Sequence, residues 1–149
     1  MTPQTGTISD ILHHKGTQVW SVAPEATVLD AIKLMAERNV GALLVMEGER
    51  LVGIISERDY TRKVALKGKA SKDTAVREIL SGQLIQVTPS HAVDDCMRLM
   101  TEHHVRHLPV MEGDKVLGIV SIGDLVNHVI TAQSQTIQQL QTYITGVPG

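Results

Sequence analysis

The feature that most constrains this chain is an internal repeat with a period of 65 residues. When Pro24 is aligned with Pro89, the segments 22–59 and 87–124 match without a gap. About 17 of the 38 aligned positions carry identical residues, including the stretch Met46-Glu47-Gly48 against Met111-Glu112-Gly113. Unrelated segments would share only a few positions, so the chain contains one folding unit duplicated.

Each copy shows the same order of local patterns. An extended piece ends at the proline, and an apolar helical face follows, as in Val28, Ile32, Met35 and Ala36. Two apolar stretches around a Gly-containing acidic turn then predict a hairpin, with strands near 41–46 and 51–55 or 107–111 and 116–120. A second helix starts near Asp59 or Asp124.

These patterns predict the fold class α/β (α+β), as two β-α-β-β-α repeats packed through their sheets around a shared core with pseudo-two-fold symmetry. The predicted organisation is a first repeat at 8–66, a linker at 67–75, a second repeat at 76–130 and a C-terminal helix or tail at 131–149. A short amphipathic element begins each copy, and both follow an i, i+3, i+4 pattern: Ile8, Ile11, Leu12 and Val76, Ile79, Leu80.

Composition excludes several classes of protein. There is no Phe, one Trp and two Tyr, so a surface that stacks single-stranded bases is excluded. The formal net charge of −2 argues against a nucleic-acid binder. Cys96 is the one cysteine, which rules out an internal disulfide and a multi-cysteine zinc site. The chain has no apolar run long enough for a membrane span and no signal-like start, so we expect a cytoplasmic protein.

The chemistry-bearing residues recur where the hairpin meets the second helix. Ser56 and Asp59 in the first copy match Ser121 and Asp124 in the second. A Ser and an Asp three residues apart at a helix start can form a capping box. The same pair can bind a nucleotide, because the carboxylate accepts hydrogen bonds from ribose hydroxyls and the helix N-terminus meets phosphate. The motif alone leaves both interpretations open.

Several of these elements, in this order, resemble the CBS domain, the motif named for cystathionine β-synthase. The matching features are the extended piece before the proline, the helix ending in Met, the strand 105–110 and the Gly-Ile-x-Ser-x-x-Asp ending. The resemblance covers about residues 8 to 130. It implies a tandem pair, or Bateman module, with two clefts that bind AMP, ADP, ATP or NAD as a regulatory ligand and not as a catalytic cofactor.

The resemblance also implies which residues line each cleft. The first cleft would use Ser56, Arg58 and Asp59 with Leu84, Ile85, Arg106 and His107. The second would use Ser121, Ile122 and Asp124 with Val19, Trp20, Gly41 and Ala42. Arg106 and His107 match the family's basic pair that faces phosphates, whereas Gly41 and Ala42 stand at the equivalent positions of the first copy. The second cleft therefore lacks the obvious phosphate cations, and we expect weaker binding or a less charged ligand there.

Other residues admit a structural interpretation beside a functional one. Trp20 either walls the adenine pocket of the second cleft or packs as a partly buried side chain, and Arg58 either faces phosphate or pairs with Glu57 or solvent. The histidines at 103, 104 and 107 do not have metal-site spacing. We expect Cys96 and the methionines to fill the core.

The predicted function is a regulatory, non-enzymatic sensor of adenine nucleotides that acts on an unknown effector protein. The apolar outer faces of the second helices need a cover, which predicts a homodimer; their residues are Val64, Leu125, Val126 and Val129. A structural module without ligand and a small nucleotide-processing enzyme are the alternatives. No nucleophile with its base, P-loop or GxSxG motif supports the enzyme.

Overall fold

The first repeat follows the predicted order of elements. In the computed structural model, which describes residues 6–80 and 84–132, a helix (α1) precedes a short strand, a helix, a hairpin and a final helix. These elements are α1 Ile8–Lys15, β1 Ser21–Val22, α2 Val28–Arg38, β2 Ala42–Glu47, β3 Arg50–Ser56 and α3 Glu57–Tyr60. A single π-helical turn, Thr61–Ala65, continues α3.

The second repeat reproduces these elements. It begins with a 3₁₀ turn, Val76–Ile79, and continues with α4 Val93–His103, β4 His107–Glu112, β5 Lys115–Ser121 and a helix (α5) at 122–132. Val87 bridges Val110 in parallel, where β1 pairs in parallel with β2 in the first repeat. The predicted β-α-β-β-α unit is therefore confirmed. The rest of the predicted C-terminal tail, from 133, lies outside the described residues.

The hairpin register places the ends of the strands where a site can form. β2 pairs antiparallel with β3 so that Ala42 lies opposite Ser56, and β4 pairs with β5 so that His107 lies opposite Ser121. Both hairpins carry an irregularity at the same place, after Val45 or Val110. The start of the first hairpin strand therefore lies beside the Ser-x-x-Asp segment in each repeat.

The helix before each hairpin ends in the same way. Asn39 and His104, with φ of 54° and 55°, adopt the left-handed conformation that commonly terminates a helix. The next residue, Val40 or Val105, donates its N–H back to the carbonyl of Met35 or Met100 at 3.0 or 3.1 Å. This turn directs the chain into β2 or β4, and thereby positions Gly41 and Arg106 at the strand starts.

Most of the buried apolar side chains form two clusters, one for each repeat. Ile8, Ile11 and Leu12 of α1 belong to the cluster of the second repeat, whereas Val76 and Ile79 belong to that of the first. Each repeat is thus completed by the segment that precedes the other one. This exchange ties the repeats together because neither cluster closes without the opposite segment.

The outer helical surface is less apolar than predicted. Val64 and Leu125, expected to point outward, are buried in the two clusters because each faces its own sheet. Val129 is half-buried against the cluster of the second repeat. Among the described residues, the exposed large apolar side chains are Leu66, Val126 and Ile130. Within residues 6–80 and 84–132, no helix is long and apolar enough to cross a membrane.

Candidate functional site

A cavity of about 300 Å³ opens between the repeats, at the first predicted cleft. All seven residues predicted for that cleft line it: Ser56, Arg58, Asp59, Leu84, Ile85, Arg106 and His107. The first three come from the first repeat and the other four from the second. The cavity wall thus contains residues of both repeats, so a molecule bound in the cavity would contact both repeats at once. Nucleotide binding by these residues stays a prediction.

Asp59 uses one carboxylate oxygen to cap its own helix. Its Oδ2 accepts from the Ser56 N–H at 2.9 Å and the Ser56 hydroxyl at 3.0 Å, and the Ser56 Oγ accepts from the Asp59 N–H at 3.2 Å. The other oxygen, Oδ1, lies 3.5 Å from the Lys63 Nζ. Ser56 and Asp59 therefore form the capping box at the start of α3. The same hydrogen bonds fix the orientation of the Asp59 carboxylate, which lines the cavity.

Three guanidinium groups surround one side of this cavity. Arg58 and Arg62 lie on one face of α3 and its continuation, and Arg106 approaches from the other repeat. Repulsion from Arg106, and then from Arg62, lowers the pKa of Arg58, and Asp59 offsets it only in part. Cations held this close without a matching number of anions form a site that an anionic group would stabilise.

His107 lies between the two clefts. It lines the first cavity, yet its charge neighbours include Lys15 and Asp124 of the second cleft as well as Asp59 and Arg106. Burial, followed by Lys15, lowers the pKa of His107, so the ring is neutral at pH 7. A Cβ atom at Gly41 would lie 3.6 Å from the His107 Nε2, so the two repeats approach closely at this point.

The second cleft contains a cation that the sequence analysis missed. The Lys15 Nζ lies 2.6 Å from the Asp124 Oδ2 and 2.8 Å from the carbonyl oxygen of Ile119. Asp124 Oδ2 also accepts from the Ser121 N–H at 2.8 Å, in a cap like that of Asp59. Burial alone would raise the pKa of Asp124, but the bonds from Lys15 and Ser121 hold it below its usual range.

The sequence analysis considered only phosphate cations for the second cleft and did not include Lys15; the weaker binding or less charged ligand expected there stays a prediction. Lys15 is 109 residues from Asp124 in the chain, and only the packing of α1 on the second repeat brings the two together. The likeness of the two repeats could not reveal this, because α1 lies outside the aligned segments.

The other residues predicted for the second cleft lie at different places in the structure. Gly41 lines the first cavity, and Ala42 is buried in β2 opposite Ser56. Val19 is half-buried just before β1, and Ile122 packs against the cluster of the second repeat. The resemblance assigned Gly41 to the second cleft, whereas the structure places it at the first cavity, beside His107.

Trp20 is a packing residue of the first repeat. Its ring packs against the cluster of that repeat, and the Arg38 guanidinium lies 4.1 Å from the ring centroid. A cation over the ring face is a stabilising arrangement of its own. Its role in an adenine pocket is not tested by these contacts and stays a prediction.

Arg62 is a cavity residue that the sequence analysis omitted, although a signal for it existed. It follows Arg58 by four residues on a helix, and residues at that spacing share a face. His104 and Val105 also line the cavity, next to the predicted Arg106. Among the described residues, no three His, Cys, Asp or Glu side chains form a group that could hold a metal ion.

Comparisons with known proteins agree on the family. The sequence model of the CBS domain matches residues 7–66 and 76–131. The chain is 41% identical over 153 residues to the CBS domain-containing protein CBSX3, mitochondrial, of Arabidopsis thaliana, covering 96% of this chain and 74% of that protein. A putative signal-transduction protein with CBS domains from Burkholderia ambifaria has a similar structure, with a TM-score of 0.81 and 50% identity, over 84% of this chain and 94% of that one.

A more distant neighbour was solved with ligands. It is the CBS domain pair of protein MJ0100 in complex with 5′-methylthioadenosine and S-adenosyl-L-methionine. Its TM-score is 0.70 at 23% identity, and the match covers 81% of this chain and 93% of that one. This likeness shows a shared fold.

Proposed function

This chain belongs to the CBS-domain family as a tandem pair of CBS domains, and from that premise we propose that it senses adenine nucleotides. CBS pairs are generally regulatory modules, and the MJ0100 pair was solved with two adenosine-containing ligands. The observation that carries the proposal is the cavity between the repeats, which joins a helix-capping carboxylate to three arginines.

Each part of an adenine nucleotide has a suitable partner in this cavity. Leu84 and Ile85 offer apolar side chains and backbone to the adenine ring, and Asp59 offers a carboxylate to the ribose hydroxyls. Arg58 and Arg106 offer guanidinium groups, which bind phosphate through paired hydrogen bonds. AMP, ATP and NAD all contain these three parts, so the cavity selects the class of ligand rather than one member.

The proposed mechanism is differential binding. A ligand in this cavity contacts Asp59 of the first repeat and Arg106 of the second at once, so it favours one relative orientation of the repeats. The altered orientation of the repeats changes the affinity for an effector protein, so the nucleotide site and the effector site are linked by a coupling free energy. No bond has to form or break, and we propose that the chain is not an enzyme.

We expect the module to form a homodimer. The exposed apolar side chains Val126 and Ile130 lie one turn apart on α5, where a second copy can cover them. Light scattering after gel filtration should give twice the monomer mass, and Ile130→Asp should lower it. A monomer, or a hexamer that Ile130→Asp leaves unchanged, would contradict this arrangement.

The decisive experiment is calorimetric titration with AMP, ATP and NAD. Asp59→Ala should raise the Kd of the adenine ligand by about 10- to 150-fold, the effect of losing a hydrogen bond to a charged group. Asp95→Ala is the matched control, because Asp95 is an exposed carboxylate that pairs with Arg98 on α4. Thermal unfolding must show that the Asp59 variant is folded, since Asp59 also caps α3.

The titration separates the proposal from its alternatives. No binding of any adenine ligand would favour a structural module that uses Asp59 only as a cap. Equal affinity in wild type and Asp59→Ala would refute the ribose assignment. Consumption of the nucleotide during the titration would favour an enzyme.

A further inference from the structure

The two clefts differ in what faces their matching carboxylates. In the first, Ile54 and Asp59 both line the open cavity. Their counterparts in the second repeat are Ile119 and Asp124, and Lys15 bonds to both of them. The ammonium of Lys15 therefore lies at the place that corresponds to the interior of the first cavity.

Packing fixes the lysine at this position. Leu12 lies over Gly118 so closely that a Cβ atom there would come within 2.9 Å of the Leu12 Cδ2. At the other end of α1, the Ile8 N–H donates to the His91 carbonyl at 3.0 Å. α1 is thus held against β5, and its last residue reaches into the second cleft.

The first repeat has the same packing, but its lysine comes from the same helix as the carboxylate and lies farther away. The Lys63 Nζ is 3.5 Å from the Asp59 Oδ1, whereas the Lys15 Nζ is 2.6 Å from the Asp124 Oδ2. Leu80 lies over Gly53 as Leu12 lies over Gly118, with the nearest approach to a Cβ atom at 3.0 Å. When Leu12 is aligned with Leu80, the residue that corresponds to Lys15 is Gln83, which has no charge. Among the described residues, a lysine from a leading segment that bonds to the capping oxygen of the carboxylate is found in the second cleft.

We propose that Lys15 occupies the second cleft and binds Asp124 in the place of a ribose. Each chain then binds one adenine nucleotide, in the first cleft. This inference rests on the proposed function. The Lys15 and Asp124 side chains are 31% and 24% exposed, so the pair is partly shielded from water. Ribose hydroxyls are neutral donors, so binding to Asp124 would require them to displace a bond in which both the donor and the acceptor carry a charge.

The test is a titration of the full chain with ATP and, separately, with adenosine, followed by calorimetry and by the backbone amide signals in NMR spectra. In the wild type, we expect one ligand per chain and changes at Ser56 and Asp59 but not at Ser121 and Asp124. In Lys15→Ala, we expect a second binding event and changes at Ser121 and Asp124. His14→Ala is the matched control, because His14 is exposed beside Lys15 at the same helix end.

Each outcome bears on one of the two proposals. Changes at Ser121 and Asp124 in the wild type would overturn the role of Lys15 and make it a ligand-binding residue. Failure of Lys15→Ala to gain a response there to either ligand would also overturn it. If the amide signals of Ser56 and Asp59 do not change with either ligand, the proposed function is refuted. The signals of Ser121 and Asp124 in Lys15→Ala would still decide the role of Lys15. Lys15→Met, which keeps the aliphatic stem, replaces the alanine variant if that does not fold.

Discussion

Substitution of Arg106 by Ala should weaken ligands in proportion to their phosphate charge. Arg106 is exposed at the start of β4 and lines the cavity opposite Arg58 and Arg62. A hydrogen bond to a charged group contributes about 1.5–3 kcal/mol. Loss of one such contact corresponds to about a 10- to 150-fold higher Kd for ATP. Adenosine has no phosphate, so its Kd should change little.

The same substitution should not harm the ligand-free protein. Arg106 is the largest cause of the lowered pKa of Arg58, so its removal reduces repulsion within the cavity. Stabilisation by ligand should decrease instead. ATP at 100 times its Kd stabilises the folded state by about 2.7 kcal/mol, and a 100-fold weaker variant would retain about 0.4 kcal/mol at the same concentration. The rise in Tm on adding ATP should therefore almost vanish.

Calorimetry with ATP, AMP and adenosine measures this prediction, and thermal unfolding with and without ATP provides the second readout. Arg98→Ala is the control for loss of one positive charge, because Arg98 pairs with Asp95 on α4 and does not line the cavity. An equal loss of affinity for adenosine and ATP would refute the reasoning, because Arg106 would then support the cavity wall rather than bind phosphate. Unchanged ATP binding would refute it as well.

Three further predictions concern stability and reactivity. The pKa of His107 is lowered by burial and by Lys15, so the unfolded chain takes up more protons as pH falls below about 6.5, and the free energy of unfolding should decrease. Urea unfolding of His107→Gln from pH 7 to 5 should show a flatter dependence; an unchanged slope would contradict this. Ser56→Ala removes the oxygen that accepts the Asp59 N–H and should cost about 1 kcal/mol in urea unfolding, whereas Ser21→Ala in β1, which is exposed, should cost little. Burial raises the pKa of the Cys96 thiol to about 11, so a thiol reagent at pH 8 should modify it only after unfolding; fast modification of the folded chain would contradict its burial.

The first cleft was predictable because its residues lie in segments with strong local signals. The Ser-x-x-Asp segment ends a strand and starts a helix, and Arg106 and His107 start another strand, so local pattern and family resemblance place them together.

Val64 and Leu125 were predicted on the outer surface, but they are buried, because helical spacing shows which residues share a face and not which face meets the sheet. That choice depends on how each second helix docks on its own repeat.

Only contacts between distant segments explain the second cleft. The family resemblance placed Asp124 in this cleft but not Lys15, since Lys15 precedes the repeated segments and is 109 residues away from Asp124 in the chain.

The spacing of apolar residues and the internal likeness were enough to predict the repeat and the β-α-β-β-α unit, and the Ser-x-x-Asp spacing marked the segment where the capping boxes form. Which repeat each leading segment completes, where Lys15 lies and what surrounds His107 became clear only from the folded structure. These depend on the packing of α1 against Gly118 and on the close approach of the repeats at Gly41. The physical reason is that side chains far apart in sequence meet only when the whole chain packs, and no local pattern encodes such a meeting.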